Sequence, residues 1–152
     1  MKEEKNKNIM ITIIASILFF SGWWIIFDLE AYYKGSTMKH MNKSFHLCGF
    51  FGTISLLIVN MIPNAALTSE NTYQRFFCSK CFCRFWLFIG FCIAFSAIIG
   101  ATWILIDYFA YADANGEEEL PDWPPIALFL QNILIFVSSL LMRFGRSELP
   151  QF

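Results

Sequence analysis

Two groups of residues in this chain have the type and spacing to do chemistry. The first is the stretch CSKCFCR, which places Cys78, Cys81 and Cys83 close together. Neighbouring thiols of this kind can hold zinc, cycle as a redox pair such as Cys78/Cys81, or carry acyl chains beside a membrane. The second is a pair of carboxylates that close near-identical strings, GWWIIFD ending at Asp28 and ATWILID ending at Asp107. Aligned, the strings pair Trp24 with Trp103, Ile25 with Ile104, Ile26 with Leu105 and Asp28 with Asp107, and the match runs on to Ala31/Ala110 and Tyr32/Tyr111. Each Asp follows its Trp by one helical turn, so the two share a face. Such an acid has two readings: a cation, proton or salt-bridge site, or a solvated acid at the end of an apolar helix. At a helix C-terminus it opposes the macrodipole, so either a partner or a watery setting is required.

The elements that position these residues are four apolar blocks, Ile9–Phe27, Phe45–Leu67, Phe85–Ile106 and Ile126–Met142, none of which contains Lys, Arg, Asp or Glu. The whole chain of 152 residues is 57% hydrophobic and 15% charged, against about a quarter charged in an ordinary soluble domain. At a rise of about 1.5 Å per residue each block reaches across a hydrocarbon core of roughly 30 Å, the last with help from its flanks. A soluble bundle of four buried helices would need polar sequence to coat it, and little is left over. The expected fold is all-α, a polytopic membrane protein with four spans at about 9–27, 45–67, 85–106 and 126–142. These form one transmembrane domain over 9–142, between an N-terminus at 1–8 and a tail at 143–152. No small-x-small cleavage site follows the first block, which reads as an uncleaved span rather than a signal peptide.

Basic residues set the orientation. Lys2, Lys5, Lys7, Arg75, Lys80, Arg84, Arg143 and Arg146 fall on one side, and only Lys34, Lys39 and Lys43 on the other. The positive-inside rule therefore puts both termini in the cytosol. The acidic third loop, DYFAYADANGEEELPDWPP, then faces the lumen or exterior. Trp23, Trp24 and Trp103 gather at that interface with Asp28 and Asp107, as anchors suited to amphipathic rings. Spans one and three run the same way, so the repeated string reads as a tandem duplication of a helical hairpin, or as convergence on a good interface sequence.

With sides assigned, the cysteines sort themselves. His40 and His46 fall opposite the cysteine cluster, so zinc lacks a fourth ligand there. The redox pair lacks its usual fold context, and S-acylation fits the juxtamembrane position of Cys78, Cys81 and Cys83 best. Inert thiols are the alternative. Cys48 and Cys92 lie within spans and read as apolar filler. Asn42 starts a formal glycosylation sequon, too close to the membrane at Phe45 for modification to be expected.

Inside the spans the polar residues are amides, Asn60, Gln131 and Asn132, which usually bind helices to one another. Small residues form close-approach rows, Gly49 and Gly52 with Ser55 in span two, and Gly90, Ala94, Ala97 and Ala101 in span three. These could pack within the chain or against another protein. No ionisable group stands in mid-span, which argues against proton-coupled transport. No Ser/His/Asp set, HExxH, phosphate loop or nucleic-acid patch is present. The chain is therefore expected to be no enzyme, to use no cofactor or metal, and to have membrane lipids and other membrane proteins, not nucleic acid, as its partners.

The strings FFSGWWIIFD, MNKSFHLCG, WLFIGF, FLQN and RFGRSE, in this order, resemble the transmembrane protein 50 (small membrane protein) family, related to the fungal vacuolar protein sorting-associated protein 68. The resemblance runs from about Ile9 to Glu148. It implies four spans, no catalytic residues to carry over, and a role in late-endosome-to-vacuole transport. The implied partner is a small four-span protein of the vacuolar protein sorting 55 / leptin receptor overlapping transcript family. The EEE at Glu117–Glu119 and the cysteine loop depart from the family pattern. The expected function is a non-enzymatic subunit of an endosomal or Golgi membrane complex that supports protein sorting. An auxiliary subunit escorting a channel or receptor is the alternative, and a small transporter or lipid-handling protein the third.

Overall fold

A computed structural model describes residues 2–33, 45–62, 80–115 and 121–146, and these form four helices: α1 (Lys2–Tyr32), α2 (Phe45–Met61), α3 (Lys80–Asn115) and α4 (Trp123–Gly145). Each is longer or shorter than its apolar block for a local reason. Helix α1 begins well before Ile9, because Glu3 and Glu4 lie in its first turn, where carboxylates complement the helix dipole. The expected separate terminus at 1–8 is thus helical from Lys2 onward. Helix α3 runs uninterrupted for 36 residues, about 54 Å, since nothing between Lys80 and Asn115 breaks it. Helix α4 opens with Pro124 and Pro125 in its first turn, where a missing N–H costs nothing. Helix α2 stops at Met61, two residues before Pro63, and the rest of the expected second span lies outside the described residues.

Three of these helices, α1, α3 and α4, are long and apolar enough to cross a membrane, and α2 is a shorter apolar helix of 17 residues. Helix α4 is the hub. It packs on α1, α2 and α3, and α2 packs also on α3. In its most apolar stretch 44% of residues are buried, against 17% in α1 and 22% in α3, which sets it at the centre. Helix α1 meets the bundle chiefly through α4. The chain is therefore not built from two self-contained hairpins, because α1 leans on the last helix rather than on α2, its neighbour in sequence.

The outer faces are apolar. Phe20, Trp24, Phe88, Ile99 and Trp103 are all exposed, alongside many other large hydrophobic side chains on α1 and α3. In water such a surface would aggregate. In hydrocarbon it is the favourable one, and backbone polarity is satisfied within the helices.

Candidate functional site

The polar residues of the apolar zone converge on one seam along α4, where Gln131, Asn132, Ser138, Ser139 and Arg143 are all buried. Their spacing puts them on the side of α4 that meets its neighbours. Ser138 donates to the Ala15 carbonyl of α1 at 2.7 Å. Asn60 of α2 donates to the Ser139 carbonyl at 3.5 Å and to its hydroxyl at 3.4 Å, as well as to Leu56 of its own helix. Ser55 of α2 donates to the Gly90 carbonyl of α3 at 2.7 Å. All but the Asn60–Leu56 bond cross between helices, and together they tie α4 to α1, α4 to α2 and α2 to α3.

The small residues lie where those helices come closest. Gly49 faces the Gln131 side chain, and Gly52 faces Asn132 and Ile135. Gly90 faces Ile58 and Val59. Ala94, Ala97 and Ala101 are buried along the inner face of α3. The residues singled out in sequence as packing residues thus all stand at contacts within the chain. Gly22, not singled out, also belongs to this set: it approaches the Gln131 backbone from α1. Its signal was its alignment with Ala101, the other small residue opening a repeated string.

Asn132 donates through Nδ2 to the Leu128 carbonyl at 3.0 Å. Its Oδ1, and Oε1 of Gln131, are buried with no hydrogen-bond partner among the described residues. Leaving such an oxygen unmet costs about 1–3 kcal/mol.

The two repeated strings match in environment as well as in sequence. Trp24 and Trp103 are 74% and 72% exposed, and Asp28 and Asp107 are both exposed. Ile25 and Ile104 both pack on one apolar cluster with Ile26, Leu29, Ala101, Ala127 and Leu128. Neither Asp ends its helix, however. Helix α1 continues about one turn past Asp28 and α3 about two turns past Asp107, so the clash with the helix dipole expected from sequence is weaker than it would be at a terminus. Trp23 differs from the outward-facing Trp24: its indole N–H donates to the Thr53 hydroxyl of α2 at 3.3 Å.

Three contacts had no clear signal in the sequence. Glu30 and His46 meet at 2.6 Å and join the ends of α1 and α2. Tyr108 is buried, and its hydroxyl donates to the Pro121 carbonyl at 3.0 Å. Arg143, counted in sequence as a charge of the solvated tail, is buried and donates to the Ile62 carbonyl. That carbonyl stands just past the last residue of α2, where no further helical turn supplies an N–H, so the guanidinium serves as its donor.

Of the clustered cysteines, Cys81 is an exposed free thiol, while Cys83 is 1% exposed and disulfide-bonded. The acylation reading narrows to Cys81 in this state; Cys78 lies outside the described residues, as do Asn42, Lys34, Lys43 and Glu117–Glu119. Cys48 is half-buried and Cys92 exposed. No cluster of His, Cys, Asp or Glu able to hold a metal occurs among the described residues.

A helical bundle with an apolar outer surface and its polar groups turned inward onto a central helix is an integral membrane protein. The chain belongs to the family described as Uncharacterised protein family (UPF0220), whose model matches residues 1–149. It is similar to the Transmembrane protein 50 homolog of Dictyostelium discoideum, 32% identical over 139 residues that cover 88% of this chain and 86% of that protein. No solved structure matches.

Proposed function

We propose that the protein is a non-enzymatic subunit of an endosomal or Golgi membrane complex that supports protein sorting and transport from late endosomes toward the vacuole or lysosome. In this reading it has four spans with both termini in the cytosol, and its partner is another small four-span membrane protein. The observation that carries the proposal is the division of labour between faces. Inside, the seam residues of α4 are turned toward neighbouring helices. Outside, α1 is held chiefly by α4 and leaves most of its apolar length uncovered. A chain arranged this way has helix surface to offer a partner. The eight-to-three distribution of basic residues supports the orientation, and the trafficking role is what the resemblance of the sequence motifs to the transmembrane protein 50 family implies.

Affinity purification of the full chain in mild detergent, followed by mass spectrometry, tests the proposal. A small four-span partner recovered in constant ratio is the expected result. Recovery with a channel or receptor instead, or as a free monomer from endosomal membranes, overturns it.

A further inference from the structure

We propose that the bundle holds one buried water molecule between α2, α3 and α4, at a site built by Asn132, Ser55 and Ser139. A small cavity lies there, with Gly52, Ser55, Ala94, Ala97, Asn132 and Ser139 in its walls. The centre of a water-sized sphere has about 10 Å³ to occupy within it, which is close to the least that one water needs. The space exists because the residues on the α2 and α3 walls are small. Asn132 is 2% exposed, and its Oδ1 has no hydrogen-bond partner among the described residues. That oxygen points at the wall: a β-carbon on Gly52 would stand 3.5 Å from it. An apolar cavity of this size stays dry, but one with an unmet acceptor and two hydroxyls supplies the two to four polar partners that hold a water.

The hydrogen bonds balance. Water donates one proton to Asn132 Oδ1. It donates the other to Ser55 Oγ, whose own proton is committed to the Gly90 carbonyl at 2.7 Å and whose lone pairs can accept. It accepts from the Ser139 hydroxyl, which takes a bond from Asn60 and has a proton to give. A cation is the poorer fit, because the lining offers only neutral oxygens and no carboxylate to offset desolvation. The water thereby completes the polar seam where α2, α3 and α4 meet.

The test is water-edited solid-state NMR on the full chain in lipid bilayers, with bulk and bound water as the probe. Magnetisation should pass from water to Asn132, Ser55 and Gly52 several-fold faster than to lipid-facing Ile99. Ser139→Ala, which removes one hydrogen bond with little change of shape, should slow that transfer. Gly52→Ala should abolish it, since its methyl meets its neighbours at ordinary contact distance and fills the space. Gly52→Ala should also lower the melting temperature, despite the higher helix propensity of alanine, by stranding Asn132 Oδ1. Three results would overturn the proposal: transfer to these sites as slow as to Ile99, a melting temperature that rises in Gly52→Ala because an empty void was filled, or a signal that depends on sodium when sodium chloride is exchanged for choline chloride.

Discussion

Gly49 and Gln131 approach so closely that a β-carbon on the glycine would sit 2.7 Å from the amide nitrogen and 2.8 Å from its oxygen. On the other flank, a β-carbon on Gly22 would lie 3.2 Å from the Gln131 backbone carbonyl. Gln131 is therefore the point where α1, α2 and α4 close on one another, and a side chain at Gly49 would have to displace its amide. Gly49→Ala forces the buried amide aside and should cost about 1–3 kcal/mol, the usual range for overpacking. In the Gln131→Ala background the same substitution should cost clearly less, because the clashing amide is gone. Unfolding equilibria of the four proteins in detergent measure the coupling; strictly additive losses would show that the amide is not the obstacle.

Arg143 gives a second measurable effect. Its guanidinium donates to the Ile62 carbonyl at the end of α2. Arg143→Met keeps the apolar stem and removes the donor, leaving that carbonyl unmet at a cost of about 1–3 kcal/mol. Arg143→Lys should restore part of the loss, since an ammonium can donate but lacks the planar fork. Chemical denaturation of the purified variants reads this directly. A solvated tail arginine would show no difference among the three.

What sequence revealed and what it hid follow from the same physics. Charge-free apolar blocks made the helices legible, because hydrocarbon admits nothing else of that length. Gly49, Gly52, Asn60, Gly90 and the Gln131–Asn132 pair were legible as packing residues, because amides and glycines inside apolar helices have few other uses. The partner of each was not. That α1 leans on α4 rather than α2 depends on which faces meet, and in α1, apolar all round through its middle, periodicity marks no preferred face. Arg143 was misread because an arginine at the edge of an apolar block looks solvated. Its bond to the Ile62 carbonyl, at the end of another helix, is a tertiary contact that the local sequence does not announce.

The cysteine loop yields a third prediction. Cys81 is exposed beside the apolar part of α3, and Cys83 is buried in a disulfide. S-acylation should therefore depend on Cys81. Acyl exchange with hydroxylamine should give a signal on the wild type that Cys81→Ser removes and Cys83→Ser leaves. Labelling with and without reductant should accompany it. The cytosol keeps thiols reduced, so a Cys83 disulfide that survives isolation from intact cells would count against the cytosolic placement of this loop.

The repeated strings set the last prediction. Trp24 and Trp103 are exposed to nearly the same extent, and Ile25 and Ile104 rest on a shared apolar cluster formed around Ala127 and Leu128 of α4. Two parallel helices that present the same residues to one common element place equivalent atoms at equivalent heights. Asp28 and Asp107 should then lie at the same depth. Spin labels on Asp28→Cys and Asp107→Cys, each in a background without other cysteines, should show equal accessibility to a water-soluble relaxant and equal protection from oxygen. Asp→Asn should be mild at either site, within about 1 kcal/mol, because each acid is exposed and one turn beyond an anchoring Trp. Asp→Leu removes the polar group that stops the helix from sliding into the apolar layer, and should weaken assembly more than Asp→Asn at both positions. Clearly different depths would end the duplication argument. A cation- or proton-dependent activity lost in either Asp→Asn variant would make that acid a functional site instead of a solvated anchor.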